Sequence, residues 1–234
     1  MFLQSATAMQ RNLQSIGSII PACVPGLLFA DCPELIGGSM QYGREEEIYG
    51  EGEEAEFVYM VVNGAVRTYK LLSDGRQQIG AFHLESDLFG FEVGNLHRLS
   101  AEAISDTTVL IFRRRTLEAV AARNVEVARK LWGLTAPSLD HVEQNMLLGW
   151  RKTATERVTS FLLEKQERMQ GSASINLPMR RRNIGDYLGL ALDTMSRALS
   201  QLKDEGTVGL SDSRNIRVEK RSKLENLADQ EPLQ

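Results

Sequence analysis

The stretch Met179-Arg-Arg-Arg-Asn-Ile-Gly-Asp-Tyr-Leu-Gly-Leu-Ala-Leu-Asp-Thr-Met-Ser-Arg-Ala-Leu-Ser-Gln-Leu202, closed shortly after by Gly206, reads as two short helices joined by a tight turn. Ile184, Tyr187 and Leu188 share one face of the first helix. Gly189 follows where a chain leaving a helix needs a positive φ. The second helix runs from about Leu192 to Glu205. Met195, Leu199 and Leu202 recur at i, i+4 and i+7 and face inward, which puts Asp193, Ser196, Arg197 and Ser200 on the other face. Two helices around a glycine turn form a helix-turn-helix, and in its DNA-binding versions the second helix enters the major groove with its N-terminal residues at base edges. Arg197 suits guanine, whose O6 and N7 accept a bidentate guanidinium, and the Asp193 carboxylate can accept from a cytosine amino group. The same spacing also describes an ordinary surface helix with an i, i+4 Asp193–Arg197 ion pair.

Outward from this motif, Val208 and Leu210, a turn at Asp212 to Asn215, and Ile216-Arg217-Val218 read as a two-stranded wing. Arg180, Arg181 and Arg182 open the first helix, placed for backbone phosphates or for a solvated loop. Residues 153–169 form an amphipathic helix on Val158, Phe161, Leu162 and Leu163, broken at Gly171 to Ser174. Residues 115–147 read as one long helix. Leu117, Val120, Ala121, Val125, Ala128, Leu131 and Trp132 keep helical spacing, Pro137 interrupts, and Leu139, Val142 and Met146 continue the stripe. Such a stripe packs on its own domain or on its twin in a second subunit. We take it as a dimerisation face carrying Leu131, Leu139, Val142 and Met146.

Residues 39–114 have a β texture. Val58 to Val62 is an apolar run, Asn63-Gly64 is a strong hairpin signal, and Ala65 to Lys70 alternates. Asp74-Gly75 marks a second hairpin, Gln78 to Phe82 returns, and Thr107 to Phe112 is β-branched. Short strands with frequent turns imply a sandwich or jelly-roll barrel.

Composition fits this division. Hydrophobic residues make up 42% of 234, enough for a core, and no run approaches the roughly 20 apolar residues of a membrane span. No secretory signal is visible, so the expected compartment is the cytoplasm. The net charge of −4 is unevenly spread: residues 1–149 carry 12 Lys/Arg against 19 Asp/Glu, and residues 150–223 carry 15 against 9. A basic module facing a polyanion beside an acidic module explains the split, as do two solvated faces. Cys23 and Cys32 are too few for a four-thiolate iron–sulfur cluster and read as unremarkable thiols. Residues 224–234 read as a flexible acidic tail suited to control of turnover.

The segment from Met179 to Leu202 resembles the C-terminal motif of CRP/FNR regulators, closest to FixK-like members of the FNR branch. That family's recognition helix carries Glu-x-x-Ser-Arg; this chain has Asp193-Thr194-Met195-Ser196-Arg197, with a carboxylate one methylene shorter. Over about residues 40–220 the resemblance implies an α+β chain: an N-terminal double-stranded β-helix (jelly-roll) barrel at 39–114 after a segment at 1–38, a long dimerisation helix at 115–149, and a winged helix-turn-helix at 150–223. The barrel match rests on Gly50-Glu-Gly52, Val61 to Gly64 and Asp87-Leu-Phe-Gly90. Expected DNA contacts are Arg180, Arg181, Arg182, Leu192, Asp193, Thr194, Ser196 and Arg197, on an inverted repeat resembling TTGA-N6-TCAA. Implied partners are double-stranded DNA, a second copy of the chain and RNA polymerase, the last through Ser73 to Arg76.

Cyclic-nucleotide-binding members hold phosphate with Gly-Glu and a following Arg-Ser. Here Phe91 interrupts Gly90…Glu92 and Leu99 interrupts Arg98…Ser100, so no cyclic nucleotide, iron–sulfur cluster or other cofactor is expected. A ligand- or haem-gated sensor is the alternative, with His83, His97 and His141 as candidates, none with a special claim to a metal. A cupin-type enzyme would need a His/Glu cluster that the β region lacks, so no enzymatic activity and no metal site are expected.

Overall fold

The computed structural model describes residues 32–35, 37–136, 153–168, 174–211 and 215–228. They fall into two compact units. The first holds β1 (Gly38–Tyr42), β2 (Glu47–Tyr49), β3 (Phe57–Asn63), β4 (Val66–Leu71), β5 (Gln77–His83), β6 (Leu88–Phe89), β7 (Ser100–Ala103) and β8 (Thr107–Arg113), then α1 (Arg114–Arg123). A second helix, α2, covers 125–136 of the described residues. The strands form two antiparallel four-stranded sheets, ordered β1-β8-β3-β6 and β2-β7-β4-β5.

β3 shows how the barrel is built. It pairs with β8 from Phe57↔Arg113 to Val61↔Val109. Phe57, Tyr59 and Val61 point into one cluster with Tyr49, Val66 and Phe89. Val58 and Met60 point the other way, into a cluster with Phe112 and with Leu117 and Val120 of α1. Both faces of β3 are therefore buried, so the sequence shows an unbroken apolar run instead of an alternation.

Asn63-Gly64 does not make the hairpin its sequence suggests. β3 and β4 lie in different sheets, so the turn is a corner at which the chain changes sheet. The dipeptide specifies a tight turn with positive φ, and tertiary packing decides what the next strand pairs with. Gly64 has φ +94°, and a Cβ there would lie 2.5 Å from the Asp106 carbonyl oxygen. Thr107 fixes the corner: its Oγ1 accepts from the Ala65 N–H at 3.2 Å and lies 2.8 Å from the Ser105 carbonyl oxygen, to which it donates. Asp74-Gly75, by contrast, does join the neighbouring strands β4 and β5.

The long helix expected at 115–147 is broken earlier than Pro137. Asn124 leaves the helical region with φ −124° and ψ 103°, its N–H still closing α1 onto Val120. Its Oδ1 accepts from the N–H groups of Glu126 and Val127, at 3.0 and 3.3 Å, and so caps α2. Leu131 packs against the cluster of α1 and its own barrel. Val125 and Trp132 instead stand 71% and 72% exposed. Leu139, Val142 and Met146 lie outside the described residues, as do Pro137, Cys23 and the wing turn at 212–214.

The second unit contains α3 (Ala154–Arg168), β9 (Ser174–Asn176), α4 (Arg181–Leu188), α5 (Leu192–Asp204), β10 (Val208–Leu210), β11 (Asn215–Val218) and α6 (Arg221–Ala228). The wing gains a third strand, in the order β10-β11-β9. The expected flexible tail at 224–234 is corrected at its start. Residues through Ala228 belong to α6, which packs on α3 and buries Leu224 completely. The i, i+4 spacing of Leu224 and Ala228 gives α6 an apolar edge that the charged Arg221, Lys223 and Glu225 mask in the sequence.

Gly64→Ala should destabilise the protein by about 2–3 kcal/mol, from positive-φ strain plus the clash with Asp106. Gly75→Ala, at φ +82° with nothing within 4 Å of its Cβ position, should cost only about 1 kcal/mol. Paired urea melts check the difference.

Candidate nucleic-acid interface

The helix-turn-helix is formed by α4, the turn at Gly189-Leu190 and α5. Gly189 takes φ 66° and ψ 33°, the left-handed conformation expected of it. The Leu190 N–H donates to the Gly185 carbonyl at 2.8 Å, closing the turn. Met195, Leu199 and Leu202 are fully buried, so α5 faces the core as its periodicity indicates.

The opposite face carries the expected side chains. Asp193, Thr194 and Arg197 are exposed, and Leu192 is 50% exposed at the first position of the helix. Arg197 Nη2 and Asp193 Oδ2 form an ion pair at 2.7 Å. The i, i+4 pair and the outward-facing polar arrangement are thus the same two residues. Ser196 is half-buried, and its hydroxyl donates to the Leu192 carbonyl at 2.8 Å. Arg180 and Arg182 are exposed at the start of α4, whereas Arg181 is half-buried with its Nε enclosed. Asn183 Oδ1 accepts from the Arg180 N–H at 3.2 Å and holds the arginine-bearing end in place.

Further basic side chains of this unit lie outside the sequence-predicted set. Arg217 of β11 and Lys220 are exposed in the same unit. Arg157 of α3 donates to the Leu188 carbonyl at 3.3 Å. Nothing local in the sequence distinguishes Arg157 from any charged residue of an amphipathic helix.

In the barrel, the polar residues that correspond to the family's phosphate-holding pattern already have partners within the chain. Glu92, with a side chain only 7% exposed, accepts from Arg98 Nε at 2.8 Å and from the Arg98 N–H at 3.1 Å. Ser100 Oγ accepts from the Glu51 N–H at 2.9 Å. Aromatic rings fill the neighbouring interior: His97 stacks on Tyr49 at 3.6 Å, Tyr49 meets Tyr59 at 5.3 Å, and Tyr59 stacks on Phe89 at 5.2 Å. His83 stacks on Phe89 at 5.0 Å and faces Thr68 Oγ1 at 3.3 Å. His141 lies outside the described residues.

His97 is 2% exposed, and its Nδ1 lies 3.8 Å from Glu92 Oε1, too far for a hydrogen bond. Burial holds the imidazole below its ordinary titration range; Glu92 and Glu53 pull it up in part, and Arg114 adds to the depression. The folded state thus binds a proton here less readily than the unfolded chain. Stability from this site is complete above about pH 6.5 and is lost as pH falls from there toward the folded value. The free energy of unfolding should accordingly drop between about pH 7.5 and 5.5 by more in the wild type than in His97→Gln, as read from urea melts.

Comparison with known proteins places these features together. Residues 39–124 match the domain family described as "Cyclic nucleotide-binding domain", and residues 156–227 the one described as "Crp-like helix-turn-helix domain". The chain is 40% identical over 188 residues to the "Nitrogen fixation regulation protein FixK" of Rhizobium meliloti (strain 1021), covering 80% of this chain and 86% of that one. It is 41% identical over 197 residues to the protein of the same name from Azorhizobium caulinodans, with 82% and 79% coverage. Among solved structures, FixK2 from Bradyrhizobium japonicum superposes with a TM-score of 0.79 at 56% identity, covering 84% of this chain and all of that one.

Proposed function

The chain belongs to the CRP/FNR family of DNA-binding transcription regulators and is FixK-like within it, and we propose that it acts as a cytoplasmic homodimer reading an inverted repeat close to TTGA-N6-TCAA without a bound effector. The observation that carries this reading is the outer face of α5, where Leu192, Asp193, Thr194 and Arg197 stand exposed on a helix whose other face is fully buried. Its named relatives are regulators, not enzymes.

The roles follow from chemistry. Arg197 is the guanine reader, held in place by Asp193, whose remaining acceptor capacity faces a cytosine. Leu192 offers apolar contact to a thymine methyl, and Thr194 and Ser196 stand beside it. Arg180, Arg181 and Arg182 answer phosphates, Arg180 and Arg182 most directly because both are exposed. The inner aromatic stack and the Glu92–Arg98 pair support effector-free action, since the barrel supplies its own filling and its own counter-ion. The exposed turn at Ser73 to Arg76, braced by Asp74 Oδ2 on Arg76 Nε at 2.7 Å, is offered to RNA polymerase.

For the dimer, Val125 and Trp132 are seven residues apart on α2 and exposed. Leu139 and Met146 continue that seven-residue spacing in the sequence, and Ala128, Thr135 and Val142 form a second row, the pattern of a two-stranded coiled coil. Trp132 therefore replaces Leu131 in the proposed interface, with Leu139, Val142 and Met146 retained. Trp132→Glu should shift the protein toward monomer in sedimentation velocity; an unchanged dimer removes this face from the proposal.

Fluorescence anisotropy titrations of the ligand-free protein on the inverted repeat and on a half-site-scrambled duplex test the DNA reading. Selective binding is expected, and equal binding to both duplexes refutes it. Arg197→Ala should lose about 1–3 kcal/mol on the repeat and relax the guanine preference. Arg182→Ala should weaken both duplexes alike and flatten the salt dependence by about 0.9 for each phosphate the protein no longer neutralises.

A further inference from the structure

We infer that Arg157, on α3, is a positioning residue for the recognition helix: its guanidinium clamps the turn of the helix-turn-helix and so sets the angle at which α5 presents Arg197. The inference rests on the DNA-reading role given to α5 above.

The geometry begins with the C-terminus of α4. The last carbonyls of a helix lack intrahelical donors. The Gly185 carbonyl is taken by the N–H groups of Gly189 and Leu190. The Leu188 carbonyl, at the start of the turn, accepts from Arg157 Nη1 at 3.3 Å. The same guanidinium lies 4.0 Å from the position a Cβ would take on Gly189, so it sits directly against the one left-handed residue of the motif. A cation at this point also meets the negative end of the α4 macrodipole.

A clamp needs an anchored base, and α3 supplies it. Its first turn is closed by a reciprocal cap: the Thr153 N–H donates to Glu156 Oε2 at 2.8 Å, and the Glu156 N–H donates to Thr153 Oγ1 at 3.3 Å. Val158 is fully buried beside Arg157, and Phe161 meets the Tyr187 ring of α4 at 5.8 Å. From the same turn, Thr155 Oγ1 reaches Gln201 Oε1 of α5 at 3.1 Å. One short stretch of α3 thus touches α4, the turn and α5. Arg157 is the member that grips the turn, where a small backbone rotation would swing all of α5.

Two substitutions separate clamping from bulk. Arg157→Met keeps the aliphatic length and loses the donor; Arg157→Lys keeps a cationic donor. The full-length protein is titrated on the inverted repeat and the scrambled duplex across a salt series. Arg157→Met should lower the ratio of repeat to scrambled affinity about tenfold, the scale of one mis-set base pair, while Arg157→Lys retains most of the ratio. The salt slope on the scrambled duplex should stay unchanged in both. Equal ratios in the two variants overturn the clamp. A slope reduced in Arg157→Met by about 0.9 per protomer makes Arg157 a phosphate ligand instead and also overturns it. Amide exchange at Leu190 gives a readout independent of DNA: its N–H should exchange faster in Arg157→Met than in Arg157→Lys, and equal protection overturns the clamp. Should the wild type fail to tell the duplexes apart, the DNA reading fails by itself, and the exchange rates still decide the clamp.

Discussion

At Gly185 there is no space for a side chain: a Cβ would lie 2.9 Å from the Leu190 carbonyl oxygen. That close approach lets the chain double back from α4 into α5 within one short turn. It brings the Leu190 N–H within 2.8 Å of the Gly185 carbonyl, so the same residue withdraws its side chain and supplies the acceptor that closes the turn. With α4 and α5 in contact here, Met195 is driven fully into the core, and the rest of the α5 stripe follows by helical geometry. The outward direction of Asp193 and Arg197 is a consequence of how tightly the two helices meet on the other side.

The barrel works under a related constraint. Its two sheets must be filled from within, and here the filling is aromatic. Tyr49, Tyr59 and Phe89 lie face to face or tilted within 5.2 to 6.2 Å of one another, and His97 closes one end of the stack. These rings supply large buried area and fixed geometry at little cost in rotamer freedom. The charged residues nearby are matched locally, Glu92 with Arg98 and Arg67 with Glu102 at 2.9 Å across β4 and β7.

Local periodicity made the DNA-reading half legible in the sequence. The 3.6-residue spacing of Met195, Leu199 and Leu202 and the single glycine at 189 act over a few residues, and the fold respects both. The apolar run of β3 was equally plain. What the sequence hid depends on distant partners. Gly38–Tyr42 and Ser100–Ala103 have weak strand propensity and become strands through pairing with β8, β2 and β4. The sheet change at Asn63-Gly64 is invisible to a dipeptide. Asn124 is a different kind of miss: its capping chemistry is local, but the apolar stripe runs on across it and conceals the break.

In the proposed DNA-reading role, the Asp193–Arg197 pair explains how a carboxylate can occupy a face turned toward a polyanion. Ala191 precedes α5 and offers no side-chain acceptor to its free N–H groups. Asp193 lies in the first turn, where a negative charge complements the helix macrodipole. The ion pair with Arg197, formed between side chains 72% and 81% exposed, contributes little to folding, about 0.3–0.5 kcal/mol for a pair of this spacing. Its effect is on what Arg197 presents. An isolated arginine is drawn to the nearest phosphate, whatever the sequence beneath it. Paired with Asp193, its charge is balanced at long range while the N–H groups not facing Asp193 keep their direction, so attraction is traded for orientation. In the proposed complex the phosphates are left to the arginines at the start of α4, so that holding DNA and reading it are divided between the two helices of the motif.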